Sequence, residues 1–161
     1  MAAALHLIDG DDVPPAAHLR HAPPRRLVAE LPVNARLLLW AMRLLGESRG
    51  NWTIVQQELW LCCGLASVES VLQALEDLLA VLARDGRRPL LLKPSDARRM
   101  TACEEAIVAL LDAARDGDGE RLAAHARWLA PPLAQGPLCA FAVRFARGFP
   151  AEMPAAACAE A

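Results

Sequence analysis

The sequence predicts an all-α fold: a compact orthogonal bundle of five to six helices with one extended strap and flexible termini. Three observations carry this. Apolar residues recur at helical spacing over most of the chain, threonine-led capping boxes mark two helix starts, and glycine or proline closes each periodic stretch. A length of 161 residues is enough for one hydrophobic core.

The stretch Ser67 to Leu92 organises the rest. Val68, Val71, Leu72, Leu75, Leu78, Leu79 and Leu82 form one wide apolar stripe, and such a stripe must be buried against other helices. Glu69, Gln73, Glu76 and Asp77 fall between them and give an acidic outer face. Asp85-Gly86 stops the helix, and Pro89 forces an extended restart.

Residues 1–31 carry Pro14-Pro15 and Pro23-Pro24 without sustained periodicity, so they read as a flexible arm with a short turn near Arg25 to Glu30. His6, His18 and His21 sit in this arm as solvated histidines. The helical domain is expected over residues 32–150, followed by an alanine-rich disordered tail over 151–161. Its first helix starts at Pro32 to Asn34 and ends at Gly46; being apolar nearly all round, it is expected at the centre of the bundle.

Thr53-Ile54-Val55-Gln56 fits a capping box for a second helix reaching Cys63, with Leu59, Trp60 and Cys63 inward. Gly64 breaks it from the long helix, which restarts at Ser67. Leu90, Leu91 and Leu92 lie between Pro89 and Pro94, so they form an extended strap with no partner evident in the sequence. Alternation points Leu90 and Leu92 one way and Leu91 the other, which offers Leu91 to a second molecule. Thr101-Ala102-Cys103-Glu104 is the clearest helix start. That helix ends at Asp116-Gly117, Asp118 caps the next one to Leu129, and a last helix runs from Pro137 to Arg147.

Composition narrows the function. Net charge is −2, so no global field draws the chain to nucleic acid or anionic membrane. Sixteen of the 17 basic residues are arginine, Lys93 being the exception, which reads as coding bias. The five cysteines are odd in number and scattered through apolar patterns, the usage of buried hydrophobes in a reducing, cytoplasmic setting. No phosphate loop, HExxH, GxSxG or CxxC is present. Cys103, in the first turn of a helix, is the best candidate for a reactive thiol, with His125 as its conceivable base. The ordinary reading of Cys103 is a packed thiol, and no catalytic, cofactor-binding or metal-binding residue is assigned.

Two other classes compete with a protein-interaction reading. Helix, turn at Gly64, helix, then Arg84, Arg87 and Arg88 imitates a winged-helix DNA-binding regulator. Its recognition helix would expose Glu69, Glu76 and Asp77 and no basic residue, which opposes a phosphate backbone. A small-ligand bundle lined by Trp40, Trp60 and Phe141 is the weaker alternative.

Arg88-Pro89-Leu90-Leu91-Leu92 with Pro94, then Arg99-Met100-Thr101 and Glu104, resembles a family of short alphaproteobacterial helical proteins with no assigned activity. The resemblance spans residues 35–149 and implies an all-helical fold. Family members carry a cysteine cluster before the Arg-Met-Thr turn; this chain has Ser95-Asp96-Ala97-Arg98 there, which removes any thiol role the cluster implies. The reading is therefore a non-catalytic interaction or regulatory protein that binds another protein or a second copy of itself. Trp52, Leu91 and Trp128 are its candidate contact residues.

Overall fold

A computed structural model describes residues 6–7 and 26–149. The expected stripe forms the central helix. Six α-helices occupy these residues: α1 (Val33–Glu47), α2 (Trp52–Cys63), α3 (Leu65–Asp85), α4 (Ala102–Asp116), α5 (Gly119–Leu129) and α6 (Pro132–Gly148). Helix α3 buries Val68, Val71, Leu72, Ala74, Leu75, Leu78, Leu79, Val81 and Leu82. It packs most extensively on α6, with α2 on another side, while α4 joins α5 and α6. The all-α bundle is as expected.

Close backbone approach explains several glycines that looked like punctuation. Helix α1 runs through Gly46 to Glu47 instead of stopping there. A Cβ at Gly46 would lie 2.7 Å from Cδ1 of Leu92, so the residue admits the strap and does not end the helix. At Gly148 a Cβ would lie 2.6 Å from Cγ2 of Val71, which lets α6 close on α3. Gly64, with φ +74°, caps α2 and also opens α3, so α3 starts at Leu65, earlier than Ser67.

Two helix starts differ from expectation. Thr53 does not cap α2. The 3₁₀ turn Arg49–Asn51 runs straight into helical backbone, which leaves Thr53 inside the first turn. Asn51 instead donates its Nδ2 to the Leu44 carbonyl at 2.9 Å and ties the α1–α2 corner. Helix α6 begins at Pro132 and not Pro137, because Pro131-Pro132 supplies a preorganised first turn. Pro137 lies inside and deprives the Leu133 carbonyl of a partner; Leu133 is 95% exposed, so water can serve that group.

Other starts and stops follow the sequence. Thr101 and Glu104 form the reciprocal capping box of α4. Gly117, in the left-handed region, ends α4, and Asp118 caps α5 by accepting from the Arg121 amide at 3.0 Å.

The strap does have a partner in the chain. Leu91–Leu92 (β2) pairs in parallel with His6–Leu7 (β1), His6 opposite Leu91 and Leu7 opposite Leu92. Leu90 and Leu92 are buried and Leu91 is half-buried, as alternation requires. Further along the expected arm, the Val28 amide donates to Arg98 and the Met100 amide to Arg26, with a 3₁₀ turn at Val28–Glu30 between them. His18, His21 and the expected tail 151–161 lie outside the described residues.

One polar cluster crosses the interior. Arg43 and Glu104 are 1% and 0% exposed. Arg43 donates Nε to Glu104 Oε1 at 2.9 Å and Nη2 to Oε2 at 3.0 Å. Its remaining hydrogen-bonding reach goes to the carbonyls of Ala97 (2.7 Å) and Arg99 (3.1 Å). Glu104 also accepts from the amides of Lys93 at 2.9 Å and Thr101 at 2.8 Å. Thr101 Oγ1 accepts from the Glu104 amide and donates to the Leu91 carbonyl at 2.9 Å.

Thr101→Ala removes both the cap and the bond to the strap. It is expected to lower stability by about 1–2 kcal/mol in a two-state denaturant titration. Gly148→Ala is expected to cost roughly 1–3 kcal/mol, because α6 must move off Val71. An unchanged midpoint in either variant contradicts the corresponding contact.

Candidate interaction face

Helix α2 carries the surface least like the rest of the molecule. Its sequence, WTIVQQELWLCC, holds one charge, Glu58, and carries large apolar residues on more than one side. The apolar residues of a surface helix ordinarily face the core. Yet α2 packs only its Val55 and Leu59 side into the bundle, with Trp52 and Cys63 half-buried beside them. The other side faces solvent with Ile54 at 52%, Trp60 at 45% and Leu61 at 61% exposure.

Helical geometry makes this a patch. Ile54 and Leu61 are seven residues apart, about two turns, and project from the same side. Gln57 and Glu58 lie between them, and Trp60 flanks Leu61 around the helix. Trp60 is therefore not inward as the sequence reading placed it. It lies about 100° around the helix from Leu59, which already occupies the buried side.

The sequence-derived contact residues are dispersed. Trp52 is half-buried against the core at the start of α2. Leu91 is half-buried in β2, whose edge β1 already occupies. Trp128 is 39% exposed on α5, with the Arg88 guanidinium carbon 5.1 Å from its ring centroid. The three do not converge on one surface, and Trp52 lies on the inward side of α2, beside Leu59.

The arginines of the DNA-binding reading have local partners. Arg84 pairs with the adjacent Asp85. Arg87 donates its amide to Leu129 and its Nε to the Ala130 carbonyl at 3.0 Å, closing the end of α5. Arg88 covers Trp128. The proposed recognition helix is α3, whose apolar stripe is buried in the bundle. On its exposed strip Gln73 donates to Asp77, and Asp77 pairs with Arg144 of α6.

The ligand-bundle residues do not share a cavity. Trp60 is at the surface, while Trp40 and Phe141 are half-buried against the core and Arg144 lies over Phe141. A cleft of about 280 Å³ lies elsewhere, lined by Leu31, Met100 and Val108 with the carboxylates of Glu105 and Asp112. Among the described residues no three His, Cys, Asp or Glu side chains are grouped to hold a metal ion. No described helix is long and apolar enough to cross a membrane.

Three thiols, Cys63, Cys103 and Cys139, are held protonated. Burial, with Cys62 adding to it, pushes Cys63 up to about 11. Burial also raises Cys103 above the ordinary range despite its helix N-terminal position, with smaller opposing effects from the Leu91 backbone and Arg88. Cys139 is raised by burial too. This is the reverse of the lowered value an attacking thiolate requires.

No protein-family model, curated protein or solved structure matches the chain. Sequence reasoning missed Ile54 and Leu61 because it named only the inward side of this helix, as Leu59, Trp60 and Cys63, and did not ask which apolar residues were left outside. The legible signal was a pair of large aliphatics seven apart, opposite the Val55–Leu59 pair that already filled the inward side.

The thiol shifts give a pH dependence with a definite sign. The unfolded chain loses its cysteine protons near the ordinary value of 9.0, whereas folded Cys63 holds its proton to about 11. The folded state therefore binds more protons in that window, and stability falls as pH rises through it. Cys63→Ala is expected to flatten this alkaline decline in denaturant titrations between those pH values. An identical slope in the variant contradicts the assignment.

Proposed function

We propose that this chain is a non-catalytic interaction protein that docks another protein through the exposed face of α2. The observation that carries the reading is the single-charge helix with Ile54, Trp60 and Leu61 turned outward. Exposed large apolar groups on the outer side of one helix, with a tryptophan beside them, have the composition of a binding hot spot. The Arg43–Glu104 cluster does not compete for this role: both groups are enclosed, and every buried side-chain nitrogen and oxygen among the described residues has a partner. The raised thiols argue for the same non-enzymatic reading, and free, half-buried cysteines fit a reducing, cytoplasmic setting.

The winged-helix reading gains no support from this arrangement, since α3 is largely enclosed and the outer residues Glu69 and Asp77 are acidic. Immobilised wild type and Leu61→Glu should be compared as baits in extracts of the native host. The expected result is a stoichiometric companion retained by the wild type and lost with Leu61→Glu, while both chains keep the same melting midpoint. Equal retention by both overturns the α2 assignment.

A further inference from the structure

We infer that the corner where α3 and α5 end and α6 begins binds the surface of an anionic phospholipid bilayer. This corner is separate from the α2 face, and the inference does not rest on the docking reading above.

Charge is the first observation. The chain as a whole stands at −2. At this corner, however, Arg84, Arg87, Arg88 and Arg127 gather, and Asp85 is the one carboxylate within residues 84–88 and 127–137. Contacts fix the two segments together. The Arg87 amide donates to Leu129 and its Nε to Ala130, while Arg88 lies 5.1 Å from the Trp128 ring centroid. Asp85 is taken by Arg84, and Arg127 is exposed and pairs with no carboxylate among the described residues. A local excess of this sign attracts an anionic surface even on a slightly acidic molecule.

The outer face of α6 is the second observation. From Pro132 to Val143 this helix carries no charged side chain. Its exposed positions there are Pro132, Leu133, Gly136, Pro137 and Ala140, which share an arc of about 140°. Such a face is ordinarily charged or polar. Leu133, 95% exposed, follows three residues after the Ala130 carbonyl that Arg87 holds. Trp128, 39% exposed, precedes that carbonyl by two. A projecting leucine and a tryptophan among arginines suit the headgroup region, with the aliphatic chain among acyl tails and the ring at headgroup level.

Shape selects lipid over other polyanions. An acidic polypeptide would need a groove, and the clefts at Phe145 and Met100 are lined by none of these residues. A single-stranded nucleic acid would use the arginines and the ring but would leave the projecting leucine in water. A bilayer uses all three. Helix α3, with 21 residues or about 32 Å of axis, separates this corner from the Gly64 end beside Leu61.

Flotation of the full chain with phosphatidylcholine vesicles, with and without phosphatidylglycerol, at two salt concentrations tests this. The wild type is expected to float with the phosphatidylglycerol vesicles alone, and less so as salt rises. Arg127→Gln should bind about fivefold more weakly, the contribution of one basic residue near such a surface. Leu133→Glu should lose more than about tenfold, the worth of one buried leucine. An acid in the first turn of a helix is favourable, so that variant keeps the wild-type melting midpoint. Leu61→Glu should float as the wild type does. A wild type that ignores both vesicles, floats equally with both, or is matched by Arg127→Gln and Leu133→Glu overturns the inference. So does a chain held by polyglutamate or a single-stranded oligonucleotide and not by vesicles. Loss of flotation in Leu61→Glu also overturns it, whereas loss of host-protein capture in that variant bears on the docking reading alone.

Discussion

The buried ion pair of Arg43 and Glu104 is the constraint on which the rest of the structure depends. Removing both charges from water is costly, and the pair is tolerable only with good geometry and full hydrogen bonding. Here the guanidinium meets the carboxylate through two nitrogens, and both groups have further partners. Those partners come from α1, the segment after β2, the Arg98–Thr101 turn and α4. Four stretches of chain are thereby fixed to one point. The strap, through the Leu91 carbonyl, and Arg99, Thr101 and Glu104 converge on this same point.

A single carboxylate performs two tasks. As the last member of the α4 capping box, Glu104 accepts the Thr101 amide; as the counter-ion, it orders Arg43. The start of α4 and the position of α1 are thus set together. Through Thr101, the Leu91 carbonyl is satisfied inside the molecule, and β1 takes the neighbouring edge. The strap is consequently an internal tie, and the outward apolar surface lies across the molecule's sequence order on α2. The polar cluster organises the interior, while α2 is what the interior leaves uncovered.

Much of this was legible in the residues, for identifiable reasons. The α3 stripe, the Thr101 box, the Gly64 break and the Asp118 cap are local, and local spacing reports local structure. What sequence could not rank was tertiary demand. Gly46 reads as a stop in isolation, but the helix continues because Leu92 needs the missing Cβ. Thr53 reads as a cap, but the preceding 3₁₀ turn starts the helix first. Arg43, alone in an apolar run, was a buried charge in need of a counter-ion. Glu104 seemed fully explained by its cap, so the two were not joined. Trp60 and Leu61 illustrate the same limit: apolarity says that a face wants cover and does not say whether this chain supplies it.

The most direct measurement of the central claim is a double-mutant cycle on Arg43→Met and Glu104→Met, read by denaturant unfolding. Each single variant leaves one enclosed charge uncompensated and is expected to lose roughly 3–5 kcal/mol. The double variant should lose markedly less than the sum, because neither charge then remains, although the Lys93 and Thr101 amides still lack their acceptor. Single losses below about 1 kcal/mol that simply add would contradict the account, since two independent, weakly held side chains cannot fix four stretches of chain to one point.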